Sequence, residues 1–292
     1  MSELEVKHLK KSFGTVHAVQ DISFAVESGE IFTIIGPNGA GKTTTLEMIE
    51  GLLPPDEGEI YFGEKSWQKN AEEIKMMIGV QPQTSAMFDL LTPEENLTLF
   101  ASFYNKSRPT EEILEMVNLT EHRKKQVKKL SGGQRQRLAI GLAMISDPEI
   151  IFLDEPTTGL DPQARRNIWD IILTLKSLGK TTILTTHYVE EAEDLSDRVC
   201  IVDQGKIIAL NTPRALINNL TREREIRLSF LDGEQAAHEG ESFTKGISTV
   251  VKTERDGTAL KLWTEHPEDT LYYLFGFTKE KNFQVEQVST VK

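Results

Sequence analysis

The sequence predicts an α/β domain on a mainly parallel sheet, with a block of helices inserted into it and a small α+β appendage behind it. Three observations carry this. Apolar, β-branched runs at Ile31–Gly36, Glu149–Pro156 and Thr181–His187 alternate with helix-spaced segments, as buried parallel strands do. From Thr84 to Asp147 the spacing is helical throughout. Around Thr221 strand-like segments take over again.

Taken in order, Glu3–Phe13 and Ala18–Glu30 alternate apolar and polar residues around a turn and read as antiparallel strands. Ile31–Gly36 is a fully buried strand leading into a glycine loop, and "KTTTLEMIEGLL" then has helix spacing. Gly58–Lys65 returns to strand. In the helical block, Thr92 is an N-cap, with Pro93 at the first helical position and Glu95 closing a capping box. "RPTEEILEMVNL" starts similarly. Gln163–Gly179 is an amphipathic helix stopped by glycine. Tyr188–Ser196 is a second helix, and Arg198–Leu210 is a hairpin. Past Thr221, Glu225–Gly233, Ser248–Thr264 and Phe283–Val291 read as strands, with a hairpin turn at Asp256-Gly257 and a helix over Pro267–Phe277. The main domain is therefore placed at 1–220, with its helical subdomain at about 84–147, and the appendage at 221–292.

Composition narrows the function classes. At 292 residues, 38% hydrophobic and 27% charged, the chain has ample core material and reads as soluble. No apolar run reaches the roughly 18–20 residues of a membrane span, and the N-terminus has no apolar signal segment. The net charge of −12 disfavours non-specific nucleic-acid binding and direct binding to an anionic leaflet. Attachment to a membrane would then need a protein. The single cysteine, Cys200, sits among apolar strand residues and reads as an inert core thiol.

Two motifs carry chemistry. Gly36, Pro37, Asn38, Gly39, Ala40, Gly41, Lys42, Thr43 and Thr44 form a phosphate-binding loop between a strand and a helix. Its backbone N–H groups curl toward phosphate oxygens, the helix N-terminus adds positive potential, Lys42 reaches the β and γ phosphates, and the Thr43 hydroxyl binds Mg²⁺. A second strand ends in Asp154, a carboxylate for the metal, followed by Glu155, which can orient or deprotonate an attacking water. Together they indicate nucleoside triphosphate hydrolysis, without saying to what end.

A second glycine loop, Leu130–Gln134 ("LSGGQ"), opens into a helix. With the two motifs above, it resembles the ATP-binding cassette (ABC) family, whose signature loop it matches residue for residue. The resemblance runs from about Glu3 to Leu216. It implies a P-loop ATPase cassette with an antiparallel β subdomain and a helical subdomain, working on ATP with Mg²⁺. It also implies a head-to-tail dimer with a second copy of the chain, in which Ser131, Gly132, Gly133 and Gln134 of one subunit complete the ATP site of the other. The same resemblance places Phe13 on the adenine, where the family usually has Tyr. It makes Gln83, in "GVQPQ", the metal- or water-contacting glutamine, with Gln81 two residues away as the competing choice. Asp161, in "GLDP", would reach across the dimer, and His187 would contact the γ-phosphate and position Glu155.

"THYVEEAEDLSDRV", "GKIIALNTP" and the short appendage resemble the ATPases of bacterial ABC-2-type exporters, with Asn211 standing where that group often has glycine. This implies a peripheral subunit on the cytoplasmic face of the cell membrane. Separately encoded transmembrane permease subunits would dock near residues 84–105, where Met87, Phe88, Phe100, Phe103 and Tyr104 are divided between core and groove. The basic run His122–Lys129 reads as a solvated segment or a partner contact. No nucleic-acid partner is expected. The alternative is a soluble ABC ATPase acting on nucleic acid or ribosomes, which a single contiguous cassette without coiled-coil heptads or a basic tail disfavours.

Overall fold

The computed structural model describes residues 2–84, 87–220 and 224–291. The chain divides into two compact units, residues 1–213 and 214–292. Ser85 and Ala86, inside the expected docking stretch, and Thr221, the expected start of the appendage, lie outside the described residues.

The first unit opens with β1 (Ser2–Phe13) and β2 (Val16–Glu27), paired antiparallel, then β3 (Ile31–Ile35) and α1 (Lys42–Ile49). Next come β4 (Glu57–Phe62), β5 (Lys65–Ser66), α2 (Trp67–Met77) and β6 (Ile78–Gln81). The helical block holds α3 (Pro93–Ala101), α4 (Thr110–Met116) and α5 (Gly132–Met144), with 3₁₀ turns at Thr120–His122 and Val127–Lys129. After it come β7 (Ile150–Asp154), α6 (Pro162–Ser177), β8 (Thr181–Thr186), α7 (Val189–Leu195), β9 (Arg198–Asp203) and β10 (Lys206–Asn211).

These strands make two sheets. One is antiparallel, in the order β2-β1-β4-β5, and the other runs β10-β9-β3-β8-β7-β6. In the second, β9, β3, β8, β7 and β6 are mutually parallel and only β10 is reversed. Its central strands alternate between two cores. Phe32, Ile34, Phe152 and Ile183 join the cluster formed with the antiparallel sheet and α1. Ile31, Ile151, Leu153 and Leu184 join the cluster formed with α5, α6 and the helical block. Apolar residues on both faces are what a strand covered on both sides requires. Each fully buried side chain contributes about 1.5–3 kcal/mol.

At α3 the Thr92 side chain accepts from the Glu95 N–H, and the Glu95 carboxylate accepts from the Thr92 N–H. At α4 the expectation needs correction. Pro109 takes the N-cap position there, and no side chain caps the helix. Two elements went unforeseen, α2 and β6. α2 is kinked at Asn70 and buries only Ile74, so its apolar periodicity is thin. β6 has four residues, too few to show alternation.

α8 (Pro213–Leu220) spans the division between the units. The second unit then has β11 (Arg224–Phe230), α9 (Glu234–Thr244), β12 (Val250–Asp256), β13 (Ala259–Thr264), α10 (Pro267–Lys281) and β14 (Val285–Val291). Its antiparallel sheet runs β12-β13-β11-β14, and its core includes Ile226, Leu228, Leu260, Leu262 and Leu274. The Asp256-Gly257 turn joins β12 to β13, with Gly257 at φ +62°. α8 and α9 were unforeseen as well; α9 carries a glycine at Gly240 against Phe230 and Leu260. Among the described residues, no helix is long and apolar enough to cross a membrane.

Candidate functional site

Four adjacent parallel strands aim their carboxyl ends at one place. In the order β3-β8-β7-β6 they deliver, respectively, the loop 36–44, His187, Asp154 with Glu155, and Gln83. Ligands of parallel α/β sheets bind at this end.

The loop after β3 depends on two glycines. A Cβ on Gly36 would lie 2.1 Å from the Val202 carbonyl oxygen, and one on Gly41 would lie 2.3 Å from that of Ala18. Gly41 also sits at φ +99°, in the left-handed region, just before α1. Lys42 is buried, and its Nζ donates to the Gly36 and Pro37 carbonyls at 2.9 and 3.2 Å. The same Nζ lies 3.4 Å from Glu155 Oε1.

Thr185 of β8 organises the two acids. Its hydroxyl donates to Asp154 Oδ1 and accepts from the Glu155 backbone N–H at 3.0 Å. Thr43 Oγ1 donates to the same Asp154 oxygen at 3.4 Å. Burial pushes the Asp154 carboxyl up, against the Thr185 and Thr43 hydrogen bonds, and the neighbouring Glu155 charge adds to the rise.

Glu155 has φ +47°. That is a strained conformation for a side chain of this size, and such strain concentrates at functional sites. Its Oε2 accepts from the Thr158 hydroxyl at 2.8 Å. His187 Nδ1 lies 3.3 Å from that oxygen, at ion-pair distance but without hydrogen-bond geometry. Burial alone would raise the Glu155 carboxyl. The Thr158 bond and the charges of Lys42 and His187 outweigh burial and hold it below the ordinary range.

A cleft of about 580 Å³ lies over these groups. Phe13, Asn38, Gly39, Gly41, Lys42, Thr43, Thr44, Gln83 and Glu155 all line it. Phe13 ends β1 at the rim and is 51% exposed, with Lys11 Nζ 5.8 Å over its ring. Of the two competing glutamines, Gln83 faces the cleft, whereas Gln81 is buried at the end of β6 and donates to the Pro82 carbonyl at 2.7 Å. Val16, His17 and Gln204 also line the cleft and were not anticipated. Their one sequence signal was proximity to the Phe13 turn and the Asp203–Lys206 turn. Thr158 and Thr185 were missed as well, although they sit inside "LDEPTT" and "TTH". A larger groove of about 720 Å³ lies against Lys10, Ser12 and Lys206, away from the two acids.

Ser131, Gly132, Gly133 and Gln134 do not line this cleft. Ser131 caps α5, with its hydroxyl accepting from the Gln134 N–H at 3.2 Å, while the Gln134 side chain accepts from the Ser131 N–H at 3.0 Å. Both signature polar side chains are thus spent on rigidifying the loop, which leaves the helix N-terminus at the surface. Asp161 is likewise an N-cap, accepting from the Ala164 N–H at 2.9 Å at the head of α6. Cys200 is buried, and burial pushes its thiol up to about 12.

Residues 19–158 match the family model described as ABC transporter. The chain is 40% identical over 231 residues to the linearmycin resistance ATP-binding protein LnrL of Bacillus subtilis (strain 168), covering 77% of this chain and 74% of that one. It is 40% identical over 221 residues to the Nod factor export ATP-binding protein I of Ralstonia nicotianae, covering 74% and 69%. Among solved structures, the ADP conformation of an ATP-binding cassette of an ABC transporter superposes with a TM-score of 0.67 at 30% identity, covering 76% of this chain and 95% of that one. A dimeric post-hydrolysis cassette bound to ADP and Pi superposes with a TM-score of 0.66 at 29% identity, covering 72% and 99%. With the strand-end site and these relatives together, the chain belongs to the ATP-binding subunits of the ABC transporter family, whose cassettes bind nucleotide and form dimers.

Proposed function

We propose that the chain is the ATP-hydrolysing subunit of a membrane exporter, its cassette over residues 1–220 and its appendage over 221–292. The convergence of Lys42, Asp154, Glu155 and His187 at neighbouring strand ends is the observation that carries this reading. The relatives' names describe export and resistance, which supports export over a soluble role on nucleic acid or ribosomes.

In this reading the adenine lies on the exposed face of Phe13, and loop residues 36–44 enclose the phosphates. Lys42 binds the β and γ phosphates and exchanges its contact with Glu155 for them. Glu155, kept ionised by its neighbours, orients or deprotonates the attacking water. His187, beside it, donates to the γ-phosphate. Thr43, Asp154 and Gln83 offer only oxygen donors, which fits a hard, mostly hydrated cation such as Mg²⁺. When bound, Mg²⁺ neutralises phosphate charge; the chain's own part is to hold Thr43 and Asp154 together through α1 and β7.

The Ser131–Gln134 loop, absent from its own chain's cleft, completes the cleft of a second copy in a head-to-tail dimer, with Asp161 at the same junction. Permease subunits dock on residues 84–105. Phe88, Leu90 and Phe103 are exposed there, while Met87, Phe100 and Tyr104 pack on the core. The subunit then sits peripherally on the cytoplasmic face of the cell membrane.

The test is Glu155→Gln. Hydrolysis should fall about 100-fold or more, with ATP binding kept within a few-fold. The same chain, drawn with ATP and Mg²⁺ from detergent-solubilised native membranes, should bring down a multi-span protein. Retained hydrolysis would refute the catalytic assignment, and a wholly soluble chain without such a protein would refute the exporter.

A further inference from the structure

Behind the catalytic pair lies a fully buried carboxylate that the mechanism above does not use. Glu191 sits in α7, four residues after His187, with no exposed surface. Its Oε2 accepts from the Thr157 hydroxyl at 3.1 Å, and its Oε1 accepts from the Trp169 indole N–H at 3.0 Å. Thr157 is two residues after Glu155, and Trp169 belongs to α6, which Asp161 heads. One carboxylate therefore joins three segments: the turn carrying Glu155, the helix headed by Asp161, and the helix that begins just after His187.

Stacking adds to this corner. The Tyr188 ring lies 4.2 Å from the His187 ring, centroid to centroid, and the Arg165 guanidinium lies 4.3 Å over Tyr188. Arg165 also approaches Glu190 at 3.8 Å. His187 thus stacks on Tyr188, which in turn lies under Arg165 of α6.

We propose that Glu191 is a positioning residue for hydrolysis, setting the spacing of His187 and Glu155 by bonding α7 to Thr157 and Trp169. This rests on the catalytic reading of that pair. The chemistry favours a precise role. A buried carboxylate is costly unless its oxygens are satisfied, and an apolar residue would fill the corner without fixing an angle. Directional bonds at both oxygens, with the Thr186 hydroxyl beside His187 as a further partner, fix both the approach and the rotation of α7. His187 Nδ1 and Glu155 Oε2 are already 3.3 Å apart without hydrogen-bond alignment, so small rotations of α7 decide whether they engage.

The experiment uses the full chain, with steady-state ATPase, fluorescent-nucleotide binding and thermal melting on each variant. Glu191→Gln keeps size and one acceptor. It is expected to lower kcat about tenfold while leaving KM and nucleotide affinity within about twofold. Thr157→Val, which removes only the donor to Oε2, should reproduce the loss in part. Glu191→Asp, which keeps both acceptor oxygens but is one methylene too short to reach Thr157 and Trp169 together, should lose at least as much kcat as Glu191→Gln. An unchanged kcat for Glu191→Gln overturns the proposal. So does a kcat loss matched by equal losses of nucleotide affinity and melting temperature, which marks a merely structural carboxylate. His187→Ala and Glu155→Gln are measured alongside. If they too hydrolyse normally, the catalytic reading itself fails; if only they lose activity, the inference about Glu191 fails alone.

Discussion

Lys42 and Glu155 form an ion pair at 3.4 Å, both side chains almost wholly enclosed, between the loop that follows β3 and the carboxylate just past the end of β7. Under the proposed function the ammonium has two tasks, to meet phosphate when nucleotide enters and, before that, to keep Glu155 ionised. Lys42→Met should abolish measurable nucleotide binding in a fluorescence titration. It should also remove one of the charges holding the Glu155 carboxyl down. A Glu155 carboxyl titrating at unchanged pH by NMR in that variant would contradict the second task.

Gln81 and Gln83 lie two residues apart in different surroundings. Gln83 lines the cleft, whereas Gln81 is buried with its Nε2 on the Pro82 carbonyl. Gln83→Ala should lower kcat about tenfold or more with an unchanged melting temperature. Gln81→Ala should cost about 1–3 kcal/mol of stability and leave kcat per folded molecule near normal. The opposite pattern in melting and ATPase assays would exchange the two roles.

Glu50 predicts a pH-dependent stability. It is buried at the end of α1. Burial, with the Asp154 and Glu47 charges adding to it, pushes its carboxyl up to about 8. A carboxyl raised in the folded state binds a proton that the unfolded chain has already released. Its contribution is therefore fully present below about pH 4.5 and is lost as pH rises through about 8. At ~1.4 kcal/mol per pH unit, the span amounts to a few kcal/mol. Asp154 is raised too and pulls the same way, so Glu50→Gln against the parent reads Glu50 together with its coupling to Asp154. Denaturant unfolding between pH 5 and 8.5 should give a visibly flatter slope for the variant; equal slopes would remove Glu50 from the account.

What the sequence made legible was whatever is local or strongly patterned. The strands β3, β7 and β8, the loop at Gly36–Thr44 and the capping box at Thr92–Glu95 each declare themselves within about ten residues. The cap-like start at Arg108–Thr110 misled, because Pro109 took the position a hydroxyl would have capped. Relations across the fold were not legible. Thr185 touches Asp154 and Glu155 only because β8 pairs with β7 in a particular register. Glu191 meets Thr157 across 34 positions. The sequence preferred Gln83 over Gln81, but the reason Gln81 turns inward, the end of β6, is a strand too short to show itself.

The signature loop yields the last prediction, because its local and intermolecular roles separate. Ser131 caps α5 and lies outside its own chain's cleft. Removing the cap with Ser131→Ala should cost about 1 kcal/mol of stability, whatever the assembly. Ser131→Arg adds bulk and charge where a second copy's ATP would press. In the Glu155→Gln background, where ATP is bound but not hydrolysed, the chain should shift from monomer to dimer on adding ATP, read by light scattering after gel filtration. Adding Ser131→Arg should abolish that shift while leaving each monomer's nucleotide affinity unchanged, because Lys42 and Phe13 belong to the same chain. A dimer that persists with Ser131→Arg would place the signature loop outside the interface. A loss of nucleotide binding by the monomer would place it in its own chain's site, and the head-to-tail arrangement would fall.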